Sequence, residues 1–428
     1  MAVVLNHFES LVERFPEWPA FKEYVTKTLG VRVVESESTY AVLRYVKGES
    51  SFNAPSIGLF RSVVWDTDKN RPVCFAPGKA VNGLPPVRTN FTTVEDFMDG
   101  CMIQAFVSRS APESLQLATR TQLGANNRFY SSKTFRELFE DCLASTPIRT
   151  LDALRAHMCE FMEAQGPEVL SVFGSFVIQH PEHRVVTRNT SADAHMVHLG
   201  LATATGTMNI MEQASQWPAA LRRLQVPRYP IKLFHTEEEI HDLIRRTTVQ
   251  NGFYWQGLVF KDGTGSRWRV RSAAYNTIRA LRGSEAFPVD RFLRLRYDGK
   301  IMDYLKHYAE ERKQFWDFEQ QLRARTNDCM SAYHSVHKIH SMKFGELPVA
   351  YKPVVHLLHV EYLEHLRAKK ETVRLKNVIE IVNGLKSFEQ RRLLNAAAFT
   401  APVAVNGAVA PTVDSAVEPM ASSVEVAV

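Results

Sequence analysis

The apolar positions along this chain change rhythm three times. From residue 5 to 29, Leu5, Phe8, Leu11, Val12 and Phe15 recur at helical spacing and break near Pro16 to Pro19, which predicts one or two surface helices. From about 30 to 107 the apolar runs become short and rich in β-branched residues. Val31 to Val34, Thr39 to Tyr45, Ile57 to Trp65 and Val73 to Ala76 read as successive strands, punctuated by Gly, Pro, Asn and Asp. Asp99-Gly100 reads as a turn into a strand through Phe106, with Leu115 to Thr121 as its return. Helical patterns cover about 131–143 and 150–166. Ser171 to Ile178 opens another strand pair, whose second member is expected between Gln179 and Val186. Glu237 to Arg246 reads as a short helix. After Pro288 the period turns helical: Tyr304, Leu305, Tyr308, Phe315, Phe318 and Leu322 predict a helix across Asp303 to Leu322, and helical patterns continue to about 395.

These rhythms predict an α+β protein rather than a βαβ repeat. The expected parts are a helical N-terminal segment (1–29), an antiparallel-sheet domain (30–285), an all-helical C-terminal domain (286–395) and a flexible tail (396–428). The tail is Ala, Val, Pro and Ser with no Lys or Arg and no periodicity.

One stretch carries the strongest local signal. Gln256 to Arg271 reads as a hairpin: an apolar strand, Leu258 to Phe260, a Gly-rich turn at Asp262 to Ser266, and a return strand. On the return strand Arg267, Arg269 and Arg271 fall at period two, so their guanidiniums share one sheet face. Three adjacent cations repel unless an anion lies over them, and the guanidinium fork matches phosphate oxygens. Gly263-Thr264-Gly265-Ser266 lacks the Gly-Lys-Ser/Thr ending of a phosphate loop and is read as the hairpin turn.

Composition refines this. The 428 residues are 45% hydrophobic and 23% charged, ordinary globular material with room for two domains, and the net charge of +6 suits a polyanionic partner. Five scattered cysteines without a CxxC argue against a disulfide framework or a zinc ribbon and for a reducing compartment. The N-terminus lacks the apolar core of a signal peptide, and no apolar run approaches the ~20 residues of a membrane span. A soluble intracellular protein is expected. His334, His337 and His340, with His356, His359 and His365, are read as a helix face rather than a metal site. Arg367 to Lys370, with Arg374 and Lys376, gives the helical domain a basic face, for an RNA backbone or for solvent.

Taken in order, five blocks between residues 55 and 285 resemble the ATP-dependent RNA ligases of the phage RNA ligase 1 type, within the covalent nucleotidyltransferase superfamily. Arg61, with Ser62 in place of a family Gly, and the Lys79 to Asn82 loop sit where the family has an Arg-bearing strand and a Lys-Phe-Phe-Asn loop. Phe97-Met98-Asp99-Gly100 falls on the nucleophile motif Lys-x-Asp-Gly. Phe176-Val177 and His183-Arg184-Val185-Val186 fall on Phe-Glu and Asn-Arg-Ile-Val. Gln256-Gly257-Leu258-Val259 falls on Glu-Gly-x-Val, and Arg269-Val270-Arg271 with Tyr275 on the final Lys-x-Lys and its Tyr. Relatives encoded by large DNA viruses are similar in such departures.

The resemblance implies an RNA ligase-like nucleotidyltransferase acting on RNA ends with ATP and Mg2+, in a host cytoplasm or a virus particle. In that family an unprotonated lysine attacks the α-phosphate, beside a divalent metal held by carboxylates. Here Phe97 occupies the nucleophile position, and Val177 and Gln256 occupy carboxylate positions. What remains is phosphate recognition: Arg269 and Arg271, with Arg61, Arg120, Arg184 and Gln256 as further nucleotide-binding candidates. Lys79 is the candidate substitute nucleophile, ahead of Lys261, and Asp99 the candidate for holding a ribose or a metal. The alternative implied is a non-catalytic RNA-binding or assembly protein, virion-associated, that uses the old cleft as a docking surface; a protein partner through the helical domain is a separate expectation.

Overall fold

The computed structural model describes residues 2–54, 56–86, 91–230 and 236–401; the expected tail from residue 402 onward lies outside them. The chain is α+β, with antiparallel sheets followed by a helical C-terminal region. It divides into two compact units: Met1–Arg291 with Gly299–Ala309, and Phe292–Asp298 with the described chain from Glu310 onward.

Three sheets build the first unit. With strands numbered along the chain, the six-stranded sheet runs β1 (Val3–Leu5), β12 (Met208–Met211), β11 (Asp193–Thr203), β10 (Val169–Gln179), β8 (Cys101–Ser108), β9 (Ala111–Ala118). A four-stranded sheet runs β2 (Val31–Glu35), β3 (Tyr40–Tyr45), β4 (Val63–Asp66), β5 (Arg71–Phe75). The five-stranded sheet runs β13 (Arg228–Tyr229), β7 (Phe91–Asp96), β14 (Gly257–Asp262), β15 (Arg267–Arg271), β6 (Val81–Asn82), and only β15 with β6 is parallel.

Period-two alternation sorts the six-stranded sheet into two faces. On β8, Ile103, Ala105 and Val107 join a core completed by α3 (Phe135–Ala144) and α4 (Leu151–Gln165). Phe106 points the other way, into a core shared with β3, β4 and the N-terminal helices α1 (His7–Arg14) and α2 (Trp18–Lys27). Those two helices break where the prolines predict, and their apolar sides are fully buried at Phe8, Phe21 and Val25. Polar groups caught between layers are paired: Ser171 and Ser175 donate to the Val73 and Phe75 carbonyls at 2.5 and 3.3 Å.

Several expectations are corrected. Ile57–Leu59 is a 3-10 turn, and the strand starts only at Val63, so Arg61 precedes β4 instead of lying in it. The Phe60 carbonyl still accepts from Tyr45 N–H at the end of β3, at 2.6 Å, while the Gly58 carbonyl turns to Lys79 N–H in the loop after β5, at 2.8 Å. The segment through Val186 is not a strand; β10 pairs with β8 and β11. Strand β7 went unseen, because Thr92, Thr93, Glu95 and Asp96 hide its apolar signal. The helix expected across Asp303 to Leu322 is broken at Tyr308, between α8 (Ile301–His307) and α9 (Arg312–His337). Tyr308 is buried within the first unit, where its hydroxyl donates to the Val185 carbonyl at 2.8 Å. Arg367–Lys369 is a 3-10 turn ending in a left-handed Lys370, so the basic run is an exposed corner rather than a helix face.

In the second unit α9 is the spine. Phe315, Leu322, Cys329 and Val336, seven residues apart, bury one stripe against α10 (Lys352–Glu361), α11 (Leu375–Gly384) and α12 (Ser387–Leu394). The His337 and His359 rings stack at 3.9 Å between α9 and α10. No grouping of three His, Cys, Asp or Glu suited to a metal occurs among the described residues.

Candidate phosphate-binding cleft

The hairpin β14–β15 forms as its sequence implies, capped by Asp262, whose carboxylate accepts from Thr264 N–H and Ser266 N–H at 2.9 Å each. Register then dictates the cleft floor. Across the sheet, Glu95 opposes Val259, Val259 opposes Arg269, and Arg269 opposes Asn82. The neighbouring row is Thr93, Lys261 and Arg267. At the other end Gly257 opposes Arg271 and its carbonyl accepts from Phe97 N–H at 2.9 Å, so Phe97 and Arg271 meet over a residue with no side chain. A Cβ at Gly257 would lie 1.9 Å from the Val270 carbonyl oxygen, and the residue sits at φ 140°, where glycine is favoured.

Above this floor lies a cavity of about 420 Å³. Six cations line it: Lys47, Arg61, Lys79, Arg120, Arg267 and Arg269. The other lining residues are Tyr45, Phe52, Phe97, Ala80, Asn82 and Val259, and none is acidic. The arginines' hydrogen bonds go to neutral acceptors, and Arg267 is also attracted by the carboxylates of Glu95 and Glu212. Arg267 donates to the Gly78 carbonyl at 2.9 Å and Arg269 Nε to Asn82 Oδ1 at 2.8 Å. Arg120 donates to the Tyr45 carbonyl at 3.3 Å. Arg61 reaches the Pro77 carbonyl at 3.4 Å, so Arg61 and Arg267 together tie down the loop that carries Lys79.

The titration shifts report this crowding. Burial pushes the Arg61 guanidinium down to about 10, and repulsion from Arg267, Arg120 and Arg269 adds to it. Arg267, Arg269 and Arg271 are lowered as well, chiefly by burial. An anion in the cavity relieves both causes at once.

A second cavity of about 380 Å³ adjoins the first and is lined by Asn82, Gly83, Arg269, Val270, Arg271 and Asn276. Beneath lies a small one of about 110 Å³, bordered by Arg61, Glu95, Asp96, Phe97, Val177 and Arg267. Of its acids, Glu95 Oε1 lies 2.9 Å from Lys261 Nζ, while Glu95 Oε2 has no hydrogen-bond partner among the described residues and lies 3.9 Å from Arg228. Lys261 is also 3.5 Å from Glu212, and Asp96 accepts from Tyr229 and Trp255 at 2.8 and 3.1 Å. Lys261 is 1% exposed in this ion cluster and does not line the larger cavity.

The structure thus gathers Arg61, Lys79, Arg120 and Arg269 around one cavity, with Arg271 next door. Three expected site residues are elsewhere. Asp99 is buried with both oxygens occupied: Oδ2 accepts from Val186 and Thr187 N–H at 3.0 and 2.7 Å, and Oδ1 from the Tyr275 hydroxyl at 2.6 Å. It anchors the 183–187 loop and α6 (Ala273–Arg282) to the start of β8. Arg184 lies on that loop, its guanidinium 4.4 Å from the Tyr308 ring centroid. Gln256 is buried under Phe97; with its amide oriented by its neighbours it donates to the Phe97 and Met98 carbonyls and accepts from Arg271 Nε at 3.3 Å. Phe97 itself is covered by Arg271 and Arg269, 5.0 and 5.8 Å from its centroid.

Tyr45, Lys47 and Phe52 were missed as site residues. Their only sequence signal is an aromatic and a cation two residues apart at a strand end, which core strands show as often.

No family model matches this chain, and no curated protein does. Among solved structures it is similar to an archaeal ATP-dependent RNA ligase, form 1, at 15% identity and a TM-score of 0.38, over 73% of this chain and 74% of that one. For form 2 of that ligase the values are 14% and 0.40, over 75% and 82%. At such scores the chemistry rests on this chain's own side chains.

Proposed function

We propose that the first unit is an RNA ligase-like nucleotidyltransferase module whose cleft binds the phosphates of ATP and of RNA ends by charge, without covalent attachment at residue 97. One observation carries this: six cations and no carboxylate line a cavity of nucleotide size. Arg61, Arg267 and Arg269 supply planar forks for phosphate oxygens, and Lys79 and Lys47 supply mobile point charges at the rim. Phe97 has no lone pair with which to attack phosphorus.

Magnesium does not fit this donor set. The metal prefers carboxylate oxygens, the cavity lining holds none, and the acids of the smaller cavity face the cations Lys261 and Arg228 or accept from Tyr229 and Trp255. Val177 and Gln256, where the resemblance places carboxylates, offer none. Arginine charge takes over the neutralising part of the metal's work, and the cleft is a holding site for RNA ends.

A second reading keeps the enzyme and moves its nucleophile to Lys79. It is favoured by the exposed Lys79 ammonium on the wall of the same cavity. The two readings separate in a label transfer. The full chain is incubated with α-phosphate-labelled ATP or GTP and magnesium or manganese, then run on a denaturing gel beside Lys79→Ala. The holding site predicts no acid-labile label on the protein. Label on the wild type that disappears in Lys79→Ala establishes the second reading instead.

A further inference from the structure

Two aromatic rings stand at the mouth of the cleft, and both are capped by its cations. Lys79 Nζ sits 3.8 Å from the Phe52 centroid, and the Arg120 guanidinium 4.8 Å from that of Tyr45. The two rings meet edge to face at 5.1 Å and 71°. Phe52 is 37% exposed and lines the cavity. Its loop is nonetheless tied in place: Ser50 Oγ donates to the Gly30 carbonyl at 2.7 Å and accepts from Val46 N–H at 2.8 Å. A held, half-exposed ring beside a phosphate-selective cavity is a stacking surface waiting for a flat partner.

We infer that Phe52, braced edge to face by the buried Tyr45, is the face on which the nucleobase of the bound nucleotide stacks, and that Lys79 leaves the Phe52 ring for a phosphate as the base arrives. The inference rests on the nucleotide-binding reading of this cleft and adds which wall takes the base. Magnitudes favour the exchange. A cation over an aromatic face is worth about 2- to 30-fold in an equilibrium constant, and least at an exposed site such as this. A base on the same face is worth about 5- to 150-fold. The ammonium it displaces loses nothing, because the cavity edge it already lines then holds a phosphate oxygen. Arg120 stays on Tyr45, fixed by its bond to the Tyr45 carbonyl, and presents its outer plane for further stacking.

The test compares two ligands of similar charge, ATP and inorganic tripolyphosphate, by calorimetry on the wild type, Phe52→Leu and Lys79→Gln. The account expects Phe52→Leu to weaken ATP about 5- to 50-fold and to leave tripolyphosphate within about twofold, with unchanged thermal unfolding. Lys79→Gln weakens both ligands. Equal effects of Phe52→Leu on the two ligands, or no effect on either, overturn the stacking wall. Tighter ATP binding by Lys79→Gln with tripolyphosphate unchanged overturns the role given to Lys79. A wild type that binds neither ligand overturns the nucleotide-binding reading itself, a failure distinct from the others.

Discussion

A half-buried arginine keeps its charge where a lysine readily loses it, and the cleft is built on that difference. Even pushed down to about 10, Arg61 remains a cation at neutral pH. The lysines sit at the exposed rim or, for Lys261, between two glutamates. Burial lowers histidine in the same direction, but from a starting value near neutrality, so the imidazole loses its charge. His183 lies 3.2 Å from the Cys101 sulfur, and burial, with Arg282 adding to it, lowers its pKa to about 4. In the unfolded chain it titrates near 6.5. The unfolded state therefore takes up the proton first, so stability is full above pH 6.5 and is lost as pH falls toward 4. At about pH 5 the cost is roughly 2 kcal/mol. Urea unfolding of wild type and His183→Gln at about pH 7.5 and 5 should show the wild type losing more stability than the variant by about that amount. Equal losses would mean that His183 is not the titrating group. At this scale the sequence revealed the arginine stripe, because period two needs only the strand. It concealed Asp99 as an anchor, since its partners at Val186, Thr187 and Tyr275 are about 90 to 180 residues away.

Among the elements, the hairpin β14–β15 was legible in full: an apolar run, a glycine turn and alternating arginines are local facts. Its partner β7 was not, since Thr93 and Glu95 are buried polar residues whose place under the cleft only the fold reveals. Arg61 was expected in a strand and lies in a turn that follows the 3-10 segment Ile57–Leu59, where the Gly58 carbonyl is given to the loop that carries Lys79. Gly257 links sequence and element most tightly. Gly257→Ala would drive a Cβ into the Val270 carbonyl and part β15 from β14. A loss of about 3 kcal/mol or more is expected in urea unfolding, with weakened phosphate binding where the protein still folds. A stability change under about 1 kcal/mol would show that the β14–β15 pairing is looser than described.

At the scale of the molecule, composition already carried part of the answer. A net charge of +6 is modest for 428 residues, yet six cations converge on one cavity whose lining holds no acid. Focusing of this kind comes from topology: β3 and the loops before β4 and after β5 are neighbours in sequence, but Arg120 and the distant hairpin join them only in the folded first unit. The α+β class and the helical C-terminal region were readable from rhythm. The pairing of β10 with β11 was not, because the intervening turn from 180 to 192 carries the apolar pair Val185-Val186, which imitates a strand. No described helix is long and apolar enough to cross a membrane.

In the proposed function arginines, rather than a carboxylate-held metal, receive the phosphates. Calorimetric titration of ATP into the full chain tests it most directly, once in magnesium and once in EDTA, with Arg61→Met and Arg269→Met alongside. The account predicts binding of similar strength in both buffers, a steady weakening with added salt, and a loss of about tenfold or more in each variant. Binding that vanishes in EDTA and returns with magnesium, or that survives both arginine substitutions, would contradict it.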